Sequence, residues 1–307
     1  MDLAARARTE GGFVSRPSMA VLNLEGGDPR DLLHKVSTQA LESRSPGEHA
    51  PAALLTPKGR IVATGQAVLG PGSSEASFWT TRPAAERAQP VLARYGMLLD
   101  VEVFLAPPAA WQGRCVGEQA ESLLAAHGLP VPQPGHVAQC DRGTLLREDL
   151  GSVPAFWLRL HEASWADALP HLAPDAYDAL RIVEGSPEEG IDFDDETLFN
   201  VTGLETHVSW SKGCYPGQEP VVMAKHRGHP PQHLVRLRGD GVAPEAGAAL
   251  HRETRKVGFL TSVVGAESGW QGIGRIAHAA ATPGASLQHD HGEALVVDRL
   301  GESSPQA

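Results

Sequence analysis

Cysteine is scarce in this chain. Three of them, Cys115, Cys140 and Cys214, are scattered through 307 residues, and no Cys-x-x-Cys occurs. That pattern excludes a disulfide framework and predicts free thiols in a reducing compartment. Long apolar runs are missing too: none approaches the roughly 18 residues that span a bilayer, so a soluble protein is expected. Nor is there a surplus of cations. Lys and Arg number 26 against 37 Asp and Glu, for a net charge of -11 and a pI near 5.7. A protein that coats duplex nucleic acid needs a basic face to displace counterions, so that class is excluded and any bound anion needs a local basic patch. The opening "MDLAARARTEGGFVSRP" carries arginines without an apolar segment leading to a small-residue cleavage site, which predicts a cytoplasmic protein.

What is present reads as a globular chain of two or three domains, since 307 residues is about twice the usual domain length. The hydrophobic share of 41% and charged share of 21% are ordinary for such a chain. Residues 1–16 lack periodicity and read as a loose arm. "MAVLNLEGGD" alternates as a strand does, and a helix follows it, with Asp28 as N-cap, Pro29 in the first turn, and Leu32, Leu33 and Val36 as its apolar stripe. "PAALLTPKGRIVATGQAVLG" predicts two strands joined at Pro57-Lys-Gly-Arg60. "TRPAAERAQPVLARYGML" is helical in composition, with an interruption expected at Pro90 and a stop at Gly96.

From about residue 100 to 174, short apolar stretches alternate with the alanine-rich "EQAESLLAAHG", predicting a second α+β unit with "LPVPQPG" as an internal loop. "SWADALPHLAPDAYDALRIVEG" predicts two helices broken near Pro174, and the acidic residues 188–210 predict a solvated loop. After Pro230-Pro231, "HLVRLRGDG", "KVGFLTSVVG", "GIGRIAHAA" and "GEALVVDRL" predict a small C-terminal β-barrel or sandwich; "HDH" at His289–His291 reads as a solvated turn.

The stretch most open to chemistry is "SKGCYPGQEP", residues 211–220. Cations raise the thiolate fraction of a nearby cysteine, and Lys212 precedes Cys214 by two residues while Lys225, His226 and Arg227 follow. Gly213 and Gly217 allow a tight bend that displays the thiol, and Pro216 stiffens it. Two further readings stand beside the nucleophile: a small residue filling a turn, and a zinc ligand with His226 and His229, whose spacing fits no zinc pattern.

"KGCYPGQE", Lys212 to Glu219, resembles the K-G-C-[YF]-x-G-Q-E signature of the folate-binding YgfZ family, relatives of the glycine-cleavage T-protein, an aminomethyltransferase. "DLLHKVSTQ", "LLTPKGRIV", "ALRIVEGSPEEGIDF", "AKHRG" and "GFLTS…GIGRI" resemble other parts of that family, covering residues from about 18 to 280. The resemblance implies an α+β, three-domain T-protein-like cloverleaf. Residues 17–99, completed by about 175–229, would form the folate domain, 100–174 a ferredoxin-like middle domain, and 230–307 a C-terminal β-barrel. It further implies that tetrahydrofolate or a one-carbon derivative is the cofactor, that no metal is permanently bound, and that the role is iron–sulfur cluster assembly or repair with effects on tRNA modification. The implied partners are iron–sulfur enzymes or cluster-assembly proteins. Cys214 would be the functional residue assisted by Lys212, with Gly213, Tyr215, Gly217, Gln218 and Glu219 shaping its loop and Arg181, Lys225 and Arg227 facing the cofactor.

The chain departs from the T-proteins where they handle folate. Their acidic pair after the strand-turn glycine falls here on Ala63 and Thr64, and the tyrosine and glutamate of Arg-x-x-Tyr-x-Gly-Glu, aligned from Arg147, fall on Leu150 and Val153. A buried pterin needs an acceptor for its N–H groups, so folate is expected to be held more weakly or differently, and glycine-cleavage chemistry is opposed. The rival readings are a true aminomethyltransferase and a non-catalytic adaptor that docks on cluster-assembly proteins.

Overall fold

The protein was analysed as a computed structural model, which describes residues 2–163 and 169–302. The chain divides into two compact units, one comprising Arg8–Pro174 with Thr206–Gln218, the other Met1–Ala7, Asp175–Glu205 and Glu219–Ala307.

The first unit holds two five-stranded antiparallel sheets. In one, β2 (Met19–Gly26), β3 (His49–Leu55), β4 (Ile61–Leu69), β5 (Glu75–Thr81) and β6 (Val101–Leu105) run in the order β3-β4-β5-β2-β6. Helices α2 (Pro29–Val36) and α3 (Arg82–Gly96) pack on one face of it, burying Leu22, Leu24, Leu32, Leu33, Leu54, Phe78 and Leu92 in one core. The α2 cap is as expected: Asp28 accepts from the Asp31 N–H at 2.9 Å, and Pro29 opens the helix. Pro90, expected to interrupt α3, lies inside a continuous helix that buries Ala84, Ala85, Ala88 and Leu92. Burial of that alanine stripe against the sheet outweighs the one backbone hydrogen bond a proline removes.

The other sheet has the order β1-β7-β10-β9-β8, formed by β1 (Gly12–Ser15), β7 (Trp111–Val116), β8 (Val137–Cys140), β9 (Gly143–Arg147) and β10 (Ala155–Leu160). Helix α4 (Ala120–Ala126) contributes Ala120 and Leu124 to the core beneath it, with Phe13, Cys115, Leu145, Phe156 and Leu158. The N-terminal arm is therefore structured. Residues Leu3–Glu10 form α1, and β1 pairs with β7, placing Phe13 opposite Cys115. Four residues carry too little periodicity to announce a strand whose partner lies about a hundred positions away, which is why the sequence reads there as loose. Strand β6 joins β2 in the first sheet rather than the residues that follow it in sequence.

The second unit is built on a closed barrel of the order β11-β14-β13-β12-β15-β16. Its strands are β11 (Gln232–Gly239), β12 (Ala249–Arg252), β13 (Arg255–Ala266), β14 (Gly269–Ala277), β15 (Ser286–His289) and β16 (Gly292–Arg299). Trp270, Leu237, Leu260, Ile276 and Leu287 fill the interior. A Cβ at Gly274 would lie 2.6 Å from Leu237 Cδ1, so glycine lets this lumen close. His289, expected in a solvated turn, is buried edge-on to Trp270 with centroids 5.4 Å apart. Helix α5 (Pro174–Val183) begins at Pro174; of the two helices expected there, the earlier one falls partly on residues 164–168, outside the described residues. Among the described residues no helix is long and apolar enough to cross a membrane.

Candidate functional site

Cys214 is exposed, whereas Cys115 is buried and Cys140 half-buried. Burial pushes the Cys115 thiol well above its ordinary range, and its Sγ–H donates to the Ala120 carbonyl at 3.7 Å, so it behaves as core. Of the three thiols, only Cys214 stands open to a partner.

Its loop is moored at two points. The Lys212 ammonium donates to the carbonyl oxygens of His34, of Ser37 at 2.7 Å and of Gln39 at 3.2 Å. The first lies in the last turn of α2 and the second on its C-cap, where a cation also meets the negative end of the helix dipole, and the third lies just beyond. Burial draws the Lys212 ammonium down to about 8, with Glu42 opposing, so it remains mostly cationic at neutral pH. The same Nζ lies 5.2 Å from the centre of the Tyr215 ring. No hydrogen bond joins Lys212 to Cys214; the three donors expected to assist the thiol all point at α2, and the lysine acts on the cysteine by fixing its loop.

The second mooring is Gly217. Its φ is +82°, and a Cβ there would lie 2.5 Å from the Thr56 carbonyl oxygen and 3.3 Å from Gly59 Cα. The cysteine loop thus rests on the Pro57-Lys-Gly-Arg60 turn between β3 and β4, which explains why both glycine-bearing stretches occur in one sequence. At Gly213 an added Cβ meets nothing and φ is not left-handed, so the shaping expected of two glycines falls to Gly217. Tyr215 is buried, which raises its phenol to about 12, and its hydroxyl has no hydrogen-bond partner. The Gln218 N–H donates to the Tyr215 carbonyl at 3.2 Å, starting helix α6 (Gln218–His226), and Glu219 stands in its first turn, where a carboxylate favours the dipole.

The cations expected to face a cofactor differ in availability. Lys225 pairs with Glu205 at 2.8 Å near the end of α6, and Arg227, just past it, is exposed. Arg181 is 3% exposed, and its guanidinium donates to Asp178 at 2.9 Å, Asp192 at 2.7 Å and Ser262 at 3.0 Å. Asp192 in turn accepts from Thr261 at 2.6 Å and Ser262 at 2.7 Å. Arg181 therefore ties α5 to β13 through the 188–192 segment, leaving its fork committed to carboxylates. The acidic segment expected in solvent is buried at Asp192 for the same reason: the guanidinium brings it in. Among the described residues no cluster of His, Cys, Asp and Glu could hold a metal ion, and His229, weighed as a zinc ligand, stacks on His278 at 3.5 Å instead.

A second polar centre lies between the two sheets of the Cys214 unit, unannounced by any motif. Glu148, one residue past β9, accepts hydrogen bonds from Gln66 of β4, Arg114 of β7 and Trp157 of β10. Gln66 donates through its amide nitrogen, and its side-chain oxygen meets His49 Nδ1 at 2.9 Å, while the Arg114 guanidinium lies 4.8 Å over the Trp157 ring. Burial opposes ionisation of Glu148, but Arg114, then His207, the Trp157 N–H and His49 outweigh it and hold the carboxyl below its ordinary value. His207 is pushed down to about 4 by burial, against the pull of Glu148. Glu148 nevertheless keeps 25% of its side chain accessible, and His49 Nε2 is buried without a partner. The centre is thus a largely enclosed carboxylate with part of its side chain still accessible. Leu150 and Val153, which the resemblance sets against a tyrosine and a glutamate of T-proteins, are buried and paired with each other by backbone hydrogen bonds of 2.8 and 3.0 Å. Sequence reading missed this centre because its members, His49, Gln66, Arg114, Glu148, Trp157 and His207, come from six separated segments.

No protein-family model matches the chain. It is 27% identical over 289 residues to a chloroplastic protein of Arabidopsis thaliana, covering 86% of this chain and 64% of that one. It is 31% identical over 172 residues to the tRNA-modifying protein YgfZ of Vibrio vulnificus, covering 52% and 51%, and 27% identical over 252 residues to that of Yersinia enterocolitica, covering 78% and 74%. The chain therefore spans between half and two-thirds of the length of the first two relatives. In fold it is similar to the crystal structure of the glycine cleavage system aminomethyltransferase T from Bartonella henselae, with a TM-score of 0.83, 18% identity, and coverage of 97% of this chain and 88% of that one.

Proposed function

As a relative of the YgfZ proteins built on the T-protein fold, this chain, we propose, binds tetrahydrofolate or a one-carbon derivative and acts through Cys214 in iron–sulfur cluster assembly or repair, with an effect on tRNA modification. The observation that carries this reading is an exposed thiol on a loop fixed at one side by Lys212 and at the other by Gly217. A displayed, immobilised thiol suits a residue that transiently holds sulfur, iron or a one-carbon unit, because its ordering is complete before the partner arrives.

For folate, the donor set fits. A pterin presents N–H donors, and Glu148, still partly accessible after accepting three bonds, retains acceptor capacity, while His49 Nε2 lacks a partner. In this proposal Glu148 takes the acceptor role that Leu150 and Val153 cannot. Bound folate would supply a carrier for a one-carbon unit. The absence of a carboxylate at Ala63 and Thr64 argues for a task other than glycine cleavage.

The test replaces Cys214 by Ser in a host deleted for the protein and reads the activity of iron–sulfur enzymes and the level of thiolated tRNA, with Cys140→Ser as control. Cys214→Ser is expected to match the deletion and Cys140→Ser the wild type. Full activity of Cys214→Ser would favour the adaptor reading instead.

A further inference from the structure

A cleft of about 570 Å³ opens within the Cys214 unit, and Glu148 is not among the residues that line it. One wall is the face of β2 and β5 on which Val21 stands opposite Trp79, Asn23 opposite Ser77, and Glu25 opposite Glu75. The facing wall carries Arg159, Thr144 and Gln139, in register across β10, β9 and β8. The volume is that of a small-molecule site, and none of the reasoning about Cys214 or folate uses it.

Its two ends are opposite in charge. At the inner end the Arg159 guanidinium lies 5.9 Å from the Trp79 ring centre and donates one bond, to the Pro107 carbonyl at 2.7 Å. Its Nε–H is buried with no acceptor, and among the described residues no carboxylate pairs with it. Burial lowers its affinity for its proton, the mark of a cation short of countercharge. At the outer end Glu25 and Glu75 are exposed and directly opposite each other, an arrangement that costs stability for like charges. Trp79 lies four positions after Glu75 on β5, about 14 Å at ~3.4 Å per residue. Between the ends, Val21, Val68 and Val137 give the cleft apolar sides.

We propose that this cleft binds a short zwitterionic peptide, its carboxylate on Arg159 and its ammonium between Glu25 and Glu75. An unpaired guanidinium fork selects a carboxylate, the glutamate pair selects a cation, and their separation matches an extended chain of about three or four residues. An anion without a distant cation leaves the glutamates repelling each other, and a cation without a carboxylate leaves Arg159 unpaired.

Tri-alanine with free termini, its N-acetyl form and its C-terminal amide serve as probes, read by saturation-transfer NMR at about 5 mM, where weak binding is visible. The proposal expects transfer to the free peptide, at least a fivefold weaker signal for either blocked form, and loss of transfer in Arg159→Leu. In Glu25→Gln/Glu75→Gln the preference for the free over the acetylated peptide should disappear, which keeps the test decisive should the arginine variant fold poorly. No transfer to the free peptide in the wild type, or equal transfer to free and blocked forms, overturns it. Binding of folate and the role of Cys214 are unaffected by either result.

Discussion

At the scale of single residues, the chain assigns its polar groups to distinct tasks by burial. His207 illustrates the consequence. Its folded pKa of about 4 lies below the ordinary 6.5, so between those values the unfolded chain binds the extra proton and the fold does not. Stability contributed by neutral His207 is present above pH 6.5 and lost as pH falls toward 4, by about 3 kcal/mol at most. Burial lowers His49 as well, and the depressed pKa of Glu148 acts in the same sense at still lower pH. Urea midpoints of the wild type should therefore fall as pH drops from 6.5 to 4, and His207→Gln should flatten that slope; a wild-type midpoint constant over the window contradicts the assignment. None of this was legible in the sequence, where His207 is one of 14 histidines with no motif around it.

At the scale of elements, each of the two units has a joint that holds its own elements in place. Gly217→Ala forces a side chain into the left-handed region and against the Thr56 carbonyl, so a loss of about 1–3 kcal/mol is expected, with faster alkylation of Cys214 as its loop loosens. Arg181→Met leaves Asp192 buried without its cation and should cost the barrel unit about 3–5 kcal/mol. Chemical denaturation of both variants checks these values, and a wild-type midpoint for Arg181→Met would return that residue to the ligand role the sequence suggested. The elements themselves were largely readable: the α2 cap, the β3–β4 turn and the barrel strands each carry a local signal in cap residues, glycine or alternation. The failures were of another kind. Strand β1 and the burial of Asp192 depend on partners about a hundred and about ten residues away, and a window along the chain sees neither Cys115 opposite Phe13 nor Arg181 beside Asp192.

At the scale of the whole molecule, the fold is similar to that of a glycine cleavage T-protein, while the resemblance read in the sequence sets Ala63, Thr64, Leu150 and Val153 against that enzyme's acidic pair, tyrosine and glutamate. In the proposed reading Glu148 would take over the acceptor's task that those positions leave open. Folate binding through Glu148 is thus the claim on which the rest leans. Calorimetric titration with tetrahydrofolate tests it most directly, using the wild type, Glu148→Gln and Cys214→Ser. The account predicts binding by the wild type, equal affinity for Cys214→Ser, and at least about tenfold weaker affinity for Glu148→Gln, the ~1.4 kcal/mol of one charged hydrogen bond. No heat at millimolar ligand, or a Glu148→Gln affinity equal to that of the wild type, would contradict it.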